Sequence, residues 1–261
     1  MVHELWARGD AYEAYVGRWS RPVAARFVAW LAVPPGRRWL DVGCGTGALT
    51  GTVLSAAAGS QVTGVDPSRA FLAVARDRLG PRFAAGDAPA LPLPSAAVDA
   101  VVSGLALNFV PSPATAVAEF ARVAAPGGTV AAYVWDYADG MAMMRHFWDA
   151  ATSLDPAAAA LDEGRRDSVC STAALGRLWT AAGLTAVTTR AIDTTAVFAG
   201  FDDYWTPFLS GGAPAPSYAQ SLGAEDRAAL RQALADRLPP ADDGSIRLTA
   251  RAWAVRGSTA T

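Results

Sequence analysis

Three carboxylates and a run of glycines are the residues of this chain best placed to act together. Asp41 lies in Trp39-Leu40-Asp41-Val42-Gly43-Cys44-Gly45-Thr46-Gly47, Asp66 closes Val65-Asp66, and Asp87 lies in Gly86-Asp87-Ala88. A hydrophobic strand that ends in an acid and closely spaced glycines, followed by a second strand ending in an acid, is the spacing of a nucleoside-binding crevice. Gly43 and Gly45 let backbone approach a ligand, and Gly47 lets the next helix pack near the strand. Asp66 is placed to accept from two ribose hydroxyls.

The type of nucleoside is less direct. Gly43-Cys44-Gly45-Thr46-Gly47-Ala48 formally satisfies the G-x-G-x-x-A dinucleotide fingerprint, so a nicotinamide-dependent reductase is one reading. Asp41 argues against it, because a carboxylate there repels a pyrophosphate and suits a ligand carrying an ammonium and a sulfonium. Asp87 can accept from an adenine amino group while Ala88 offers its N–H. The closing strands also look antiparallel, which a second mononucleotide half would not supply.

The elements that position these residues alternate. Strands are expected at Arg38 to Val42, Gln61 to Asp66, Pro81 to Ala85, Val98 to Ser103 and Thr129 to Trp135, with helices between them. Ser68 caps one such helix, and Pro126-Gly127-Gly128 is expected to end another. The fold class is therefore α/β: a doubly wound, mostly parallel seven-stranded sheet, Rossmann-like, with an antiparallel last strand pair and helical insertions. Four regions follow: a helical lid (1–36), the nucleoside-binding core (37–136), an aromatic and methionine-rich insertion (137–170), and the rest of the sheet (171–261) with a second insertion at 201–240.

Composition limits the partners. The chain has 261 residues, 52% hydrophobic and 18% charged, which is globular composition. A net charge of −2 argues against a nucleic acid held by phosphate neutralisation. Its basic residues are all arginine, which excludes Schiff-base chemistry by lysine. Cys44 and Cys170 form no metal or disulfide pattern, and Cys44 reads as packing. Met1 to Trp19 is too charged for a signal peptide, and no apolar run reaches the ~20 residues of a membrane span. A cytoplasmic protein with no membrane partner is the expectation; its oligomeric state is not legible.

The blocks LDVGCGTGALT, TGVDPS, GDAPALPLP with the later VDAVVS, and FARVAAPGGTVAAYVW resemble the class I S-adenosylmethionine-dependent methyltransferases. The similarity is to the bacterial group around the ubiquinone/menaquinone-biosynthesis C-methyltransferases, and it covers Tyr12 to Trp135. It implies S-adenosyl-L-methionine as cofactor, S-adenosyl-L-homocysteine as product and a small-molecule methyl acceptor. By that resemblance Asp41 and Gly43 face the methionine ammonium, and Gly45 and Gly47 shape the loop. Asp66 holds the ribose, Pro67 lies along the adenine, Asp87 and Ala88 read its edge, and Ser103 and Leu105 flank the methionine. Tyr12 to Arg21 resembles a lid, from which Tyr15 and Arg18 reach the methionine carboxylate. A protein of this fold that binds the cofactor without transferring a methyl group is the alternative from another class.

For the acceptor, His146, Asp136 and Tyr137 are the candidate bases. Trp135, Met144, Trp148, Trp205 and Phe208 are candidates to line an apolar pocket, which would suit a flat or lipophilic substrate such as a quinone precursor or other secondary metabolite. Asp136 and Asp139 lack a further matching ligand, so no metal is expected.

Overall fold

The structure is a computed structural model that describes residues 18–165 and 169–261. Strands β1 (Arg38–Val42), β2 (Gln61–Asp66), β3 (Phe83–Ala85), β4 (Val98–Gly104), β5 (Ala124–Trp135), β6 (Thr185–Phe198) and β7 (Ile246–Ser258) form one sheet in the order β3-β2-β1-β4-β5-β7-β6. The first five pair in parallel, and β7 runs antiparallel to β5. The chain order reverses between β1 and β4, the switch point at which open α/β sheets bind ligands outside their carboxyl ends.

The central strands are near-continuous apolar runs because a parallel strand is covered on both faces. β1 is buried from Trp39 to Val42, and β5 is fully buried from Val130 to Trp135. The sheet is covered by α1 (Arg18–Leu31), α2 (Ala48–Ala56), α3 (Arg69–Leu79), α4 (Pro113–Val123) and α6 (Thr172–Ala181), while α5 (Ala142–Leu154) belongs to the first insertion. Ser68 caps α3 by accepting from the Phe71 N–H. The Trp179 indole of α6 donates to the Val130 carbonyl at 2.8 Å, which fixes that helix against β5.

β5 departs from the sequence expectation. The ladder begins at Ala124, five residues before the expected Thr129, and runs through Pro126-Gly127-Gly128. Long-range partners account for this: the Gly127 N–H donates to the Ala260 carbonyl and the Thr259 N–H to the Gly128 carbonyl. Along β7 the expected alternation holds from Ile246 to Ala254. Val255, expected to face outward, is buried as well, since β7 lies inside the sheet between β5 and β6.

The chain divides into two compact units. The sheet unit comprises residues 20–135, 169–192 and 252–261; the cap unit comprises Trp19 and residues 136–165 and 193–251. Within the cap, α5 is accompanied by short helices and by α7 (Phe201–Trp205), α8 (Pro214–Ser221) and α9 (Ala224–Arg237). The two insertions read from the sequence thus contribute to one unit. Among the described residues no helix is long and apolar enough to cross a membrane.

Within the sheet unit α1 is held at its C-terminal end by β7. The Arg256 guanidinium lies 4.8 Å from the Trp30 ring centroid and donates to the carbonyls of Trp30 (2.8 Å) and Leu31 (3.3 Å). These carbonyls have no partner within the helix, so the arginine serves as a cap supplied from another element. Arg256→Ala should lower stability by ~1–3 kcal/mol in urea denaturation, and Arg256→Lys should restore only part of it, lacking the planar fork. An unchanged midpoint for Arg256→Ala would refute this anchoring role.

Candidate functional site

The crevice is built where β1 and β2 end side by side. Asp41 stands opposite Gly64 on one flank and Val102 on the other, and Val42 opposite Val65. The chain then folds back, with the N–H groups of Gly43 and Cys44 both donating to the Val65 carbonyl. That bend places Gly43, Gly45 and Gly47 at φ of 72°, 53° and 87°, the left-handed region that glycine enters without strain. Space makes a second demand. A Cβ on Gly43 would come 2.4 Å from Ala106 Cβ, and one on Gly47 would come 2.7 Å from Leu79. A Cβ on Gly45 meets no protein atom within 4 Å, so this turn faces open space.

Beneath the loop lies a small apolar support of Cys44, Leu72, Ala75 and Phe83. Phe83 presses so closely on β2 that a Cβ on Gly64 would come 2.4 Å from its ring. Cys44 is a packing residue here, and burial pushes its thiol well above the ordinary range.

Asp41 is fully buried. One carboxylate oxygen, Oδ2, accepts from the Thr50 hydroxyl at 2.7 Å, while Oδ1 has no hydrogen-bond partner. Burial pushes the carboxyl up to about 7; the hydroxyl and backbone N–H of Thr50 pull it down, and the nearby charge of Asp66 adds to the rise. An orphaned oxygen on a buried acid is the arrangement of a site awaiting a cationic donor.

Asp66 is buried in a different way. Its Oδ2 accepts the Gly45 N–H at 2.9 Å and its Oδ1 the Ser68 N–H at 2.8 Å. The carboxylate therefore ties the glycine loop to the start of α3. Next to it Pro67 is exposed. Across the β2–β3 edge, the Gly86 N–H donates to the Asp66 carbonyl, which sets the turn carrying an exposed Asp87 and a half-buried Ala88. On the other flank Ser103 is buried in β4 opposite Ala132. Leu105 follows at φ 59°, a strained position for a side-chain-bearing residue, held by its N–H donating to the Tyr133 carbonyl. Gly104 admits the Tyr133 hydroxyl, which would lie 2.6 Å from a Cβ there.

The acceptor-side candidates fall elsewhere. Trp135 is buried at the tip of β5 in the sheet unit. In the cap unit Phe147 stacks on Phe208 at 4.5 Å and meets Trp148 edge-on at 5.2 Å, with Tyr218 and Trp205 around them. Met144, Trp148, Trp205 and Phe208 are buried, which gives them packing roles inside the cap. The Trp148 indole donates to Glu163 at 2.6 Å, and Arg145 forms a paired bond to Asp162. Burial works to raise Asp162, but Arg145 and the Gly164 N–H outweigh it and hold the carboxyl below its ordinary range.

Asp136 is occupied with its own turn. Its Oδ1 accepts from the Asp139 N–H, and its carbonyl accepts from Gly140 and Met141. Tyr137 is half-buried beside it. His146 on α5 is half-buried, and burial lowers its pKa, opposed by Asp149 and assisted by Arg237. Among the described residues no group of three or more His, Cys, Asp or Glu side chains could hold a metal. Tyr15 lies outside the described residues, as does the side chain of Arg18, whose backbone begins α1.

Thr50 is the site residue that sequence reading passed over. It closes the LDVGCGTGALT block nine positions after Asp41, but nothing in the spacing reports that its hydroxyl turns back to the acid.

Residues 40–132 match the model of a methyltransferase domain. An uncharacterized methyltransferase of Mycobacterium tuberculosis is 41% identical over 133 residues, 50% of this chain and 52% of that protein. A ubiquinone/menaquinone biosynthesis C-methyltransferase of Methylobacterium nodulans is 36% identical over 138 residues, 50% of this chain and 55% of the relative. The chain thus spans about half the length of the curated relatives it matches. Among solved structures, the fold is similar to a phosphoethanolamine N-methyltransferase of Haemonchus contortus in complex with S-adenosylhomocysteine. The TM-score is 0.59 at 16% identity, covering 97% of this chain and 57% of that one. The matched segment, residues 40–132, is the one that carries the crevice, and there the chain is similar to methyltransferases.

Proposed function

We propose that the crevice binds S-adenosyl-L-methionine and that the chain transfers its methyl group to an apolar or aromatic small molecule, leaving S-adenosyl-L-homocysteine. The orphaned Oδ1 of buried Asp41 carries this reading. A buried carboxylate without a counter-ion is costly, and an arriving ammonium supplies both the charge and the missing donor. A pyrophosphate in the same position would add negative charge to negative charge, which disfavours a nicotinamide dinucleotide. The residues fit the cofactor elsewhere too: Gly45 faces open space, and Asp66 stands beside it, joined to its N–H.

In this reading Asp41 and Gly43 take the ammonium end, and Gly45 and Gly47 keep the loop free of side chains. Asp66 takes the ribose hydroxyls and Pro67 lies against the adenine, whose amino group donates to Asp87 while the Ala88 N–H supports the ring edge. Ser103 and Leu105 flank the methionine portion, with Tyr15 and Arg18 at its carboxylate. Bound there, the cofactor supplies a methyl group on a cationic sulfur, the carbon of an in-line displacement. The protein's own part is alignment and exclusion of water. Where the acceptor must lose a proton, we assign the base to His146. Its depressed pKa keeps the imidazole neutral at pH 7, whereas Asp136 is engaged in its turn. A quinone-type acceptor agrees with the name of the Methylobacterium nodulans relative.

Calorimetry with S-adenosyl-L-methionine and S-adenosyl-L-homocysteine tests the assignment; absence of binding at millimolar concentration, or NADH binding in its place, overturns it. Asp66→Ala should weaken cofactor binding by ~1–3 kcal/mol, the loss expected for charge-assisted hydrogen bonds. An unchanged dissociation constant would exclude the ribose role.

Asp41 also predicts a pH dependence of the ligand-free protein. Its folded pKa is raised to about 7, above the ordinary carboxylate value. Between about pH 4 and 7 the folded state therefore holds a proton that the unfolded state has released, and stability falls as pH rises, by about 1.4 kcal/mol per pH unit. Above pH 7 the penalty is constant. Asp41→Asn should remove it: the variant should be more stable than the wild type in urea at pH 8, equal to it near pH 4, and deficient in cofactor binding. Equal stability at pH 8 would contradict this account of Asp41.

A further inference from the structure

Building on the cofactor assignment above, we infer that Thr50 is the positioning residue of the ammonium site: its hydroxyl holds one oxygen of Asp41 so that the other is presented, ionised, to the ligand. Thr50 is the third residue of α2 and is 1% exposed. Its Oγ1 donates to Asp41 Oδ2 at 2.7 Å, across the glycine loop.

A comparison within the helix shows that this bond is not the default for a hydroxyl there. Thr52 and Ser55 both turn their hydroxyls back onto α2, donating to the carbonyls four residues earlier, Ala48 and Gly51, at 2.9 Å each. This is the usual way in which Ser and Thr satisfy themselves inside a helix. Thr50 donates to the acid at the tip of β1 instead. The backbone N–H of Thr50 bears on the same carboxylate. Near the start of a helix such N–H groups lack partners within it, and the helix dipole favours negative charge.

The consequences follow from the surroundings of Asp41. From β2 it is faced by the like charge of Asp66 and from the loop by the neutral thiol of Cys44, and on β4 it stands opposite Val102. Among the described residues no basic side chain is ion-paired with it, and Arg76 of α3 acts on the neighbouring Cys44. Thr50 is thus the one side chain among them hydrogen-bonded to the acid. Without its hydroxyl, Oδ2 is left without a side-chain donor, as Oδ1 already is, and the acid takes up a proton that an incoming ammonium would then have to displace.

Thr50→Val conserves shape and removes the hydroxyl; Thr50→Ser restores it. The test is calorimetry with S-adenosyl-L-methionine from pH 6 to 9, together with NMR titration of the Asp41 carboxyl carbon in the ligand-free proteins. For Thr50→Val we expect affinity roughly tenfold lower at pH 7 and a smaller loss at pH 9. The Asp41 midpoint should rise by about one pH unit, and Thr50→Ser should return both to the wild-type values. A wild-type affinity and midpoint in Thr50→Val overturn the inference. So does a loss that is the same at every pH, or one that serine fails to rescue, since packing alone would account for either. If the wild type binds no cofactor while Thr50→Val still raises the ligand-free midpoint, the cofactor assignment falls and the coupling of Thr50 to Asp41 stands.

Discussion

A carboxylate shut away from water with one side-chain hydrogen bond is held at the edge of ionisation, and the crevice is organised around that condition at Asp41. The acid is near the end of a central strand and is itself fully buried. Whatever ionises it must come from the ligand side or from the first turn of α2. Thr50 supplies the second contribution. The first is absent among the described residues, which leave Oδ1 without a partner.

The second carboxylate shows how the same residue type takes another role a few ångströms of backbone away. Asp66 receives a backbone N–H on each of its oxygens, where Asp41 has a hydroxyl on one oxygen only. Its bond to Gly45 also fixes the glycine loop. The loop is supported from below by Phe83, whose ring leaves no room for a side chain on Gly64. On the opposite flank, Leu105 is held in a left-handed conformation at the end of β4. Crevice shape is thus enforced from three sides by contacts that a ligand does not make.

Much of this was legible in the sequence because it depends on local spacing. The strand-acid-glycine run, the second acid, the Ser68 cap and the alternation along β7 each follow from neighbours a few residues apart. What escaped depends on distant partners. Pro126-Gly127-Gly128 reads as a helix terminator, but the helix has already ended at Val123 and the strand that begins at Ala124 runs through it, with residues 259–260 returning to pair there. Thr50 reads as a helix residue, and its bond to Asp41 exists only once the glycine loop has turned the chain back. Helical spacing also does not tell a packed aromatic from one that lines a cavity. Trp148 and Phe208 sit at the spacing of either and both pack against Phe147 inside the cap, one edge-on and one stacked. Asp136 belongs to the same class, since an acid at a strand tip looks catalytic until its turn is seen to claim it.

The family match ends at residue 132, and that boundary has a physical sense. It contains Asp41, Asp66, Asp87, Ser103 and Leu105, all set by the tips of parallel strands whose register leaves little freedom. Beyond it lie the antiparallel strand and the cap, where α5 is tied by Arg145 to Asp162 and by Trp148 to Glu163. These bonds join residues 15 and 17 apart in one insertion and place no demand on the sheet. The insertion owes its order to ion pairs and ring contacts made within it, whereas the crevice residues owe theirs to the register of neighbouring strands.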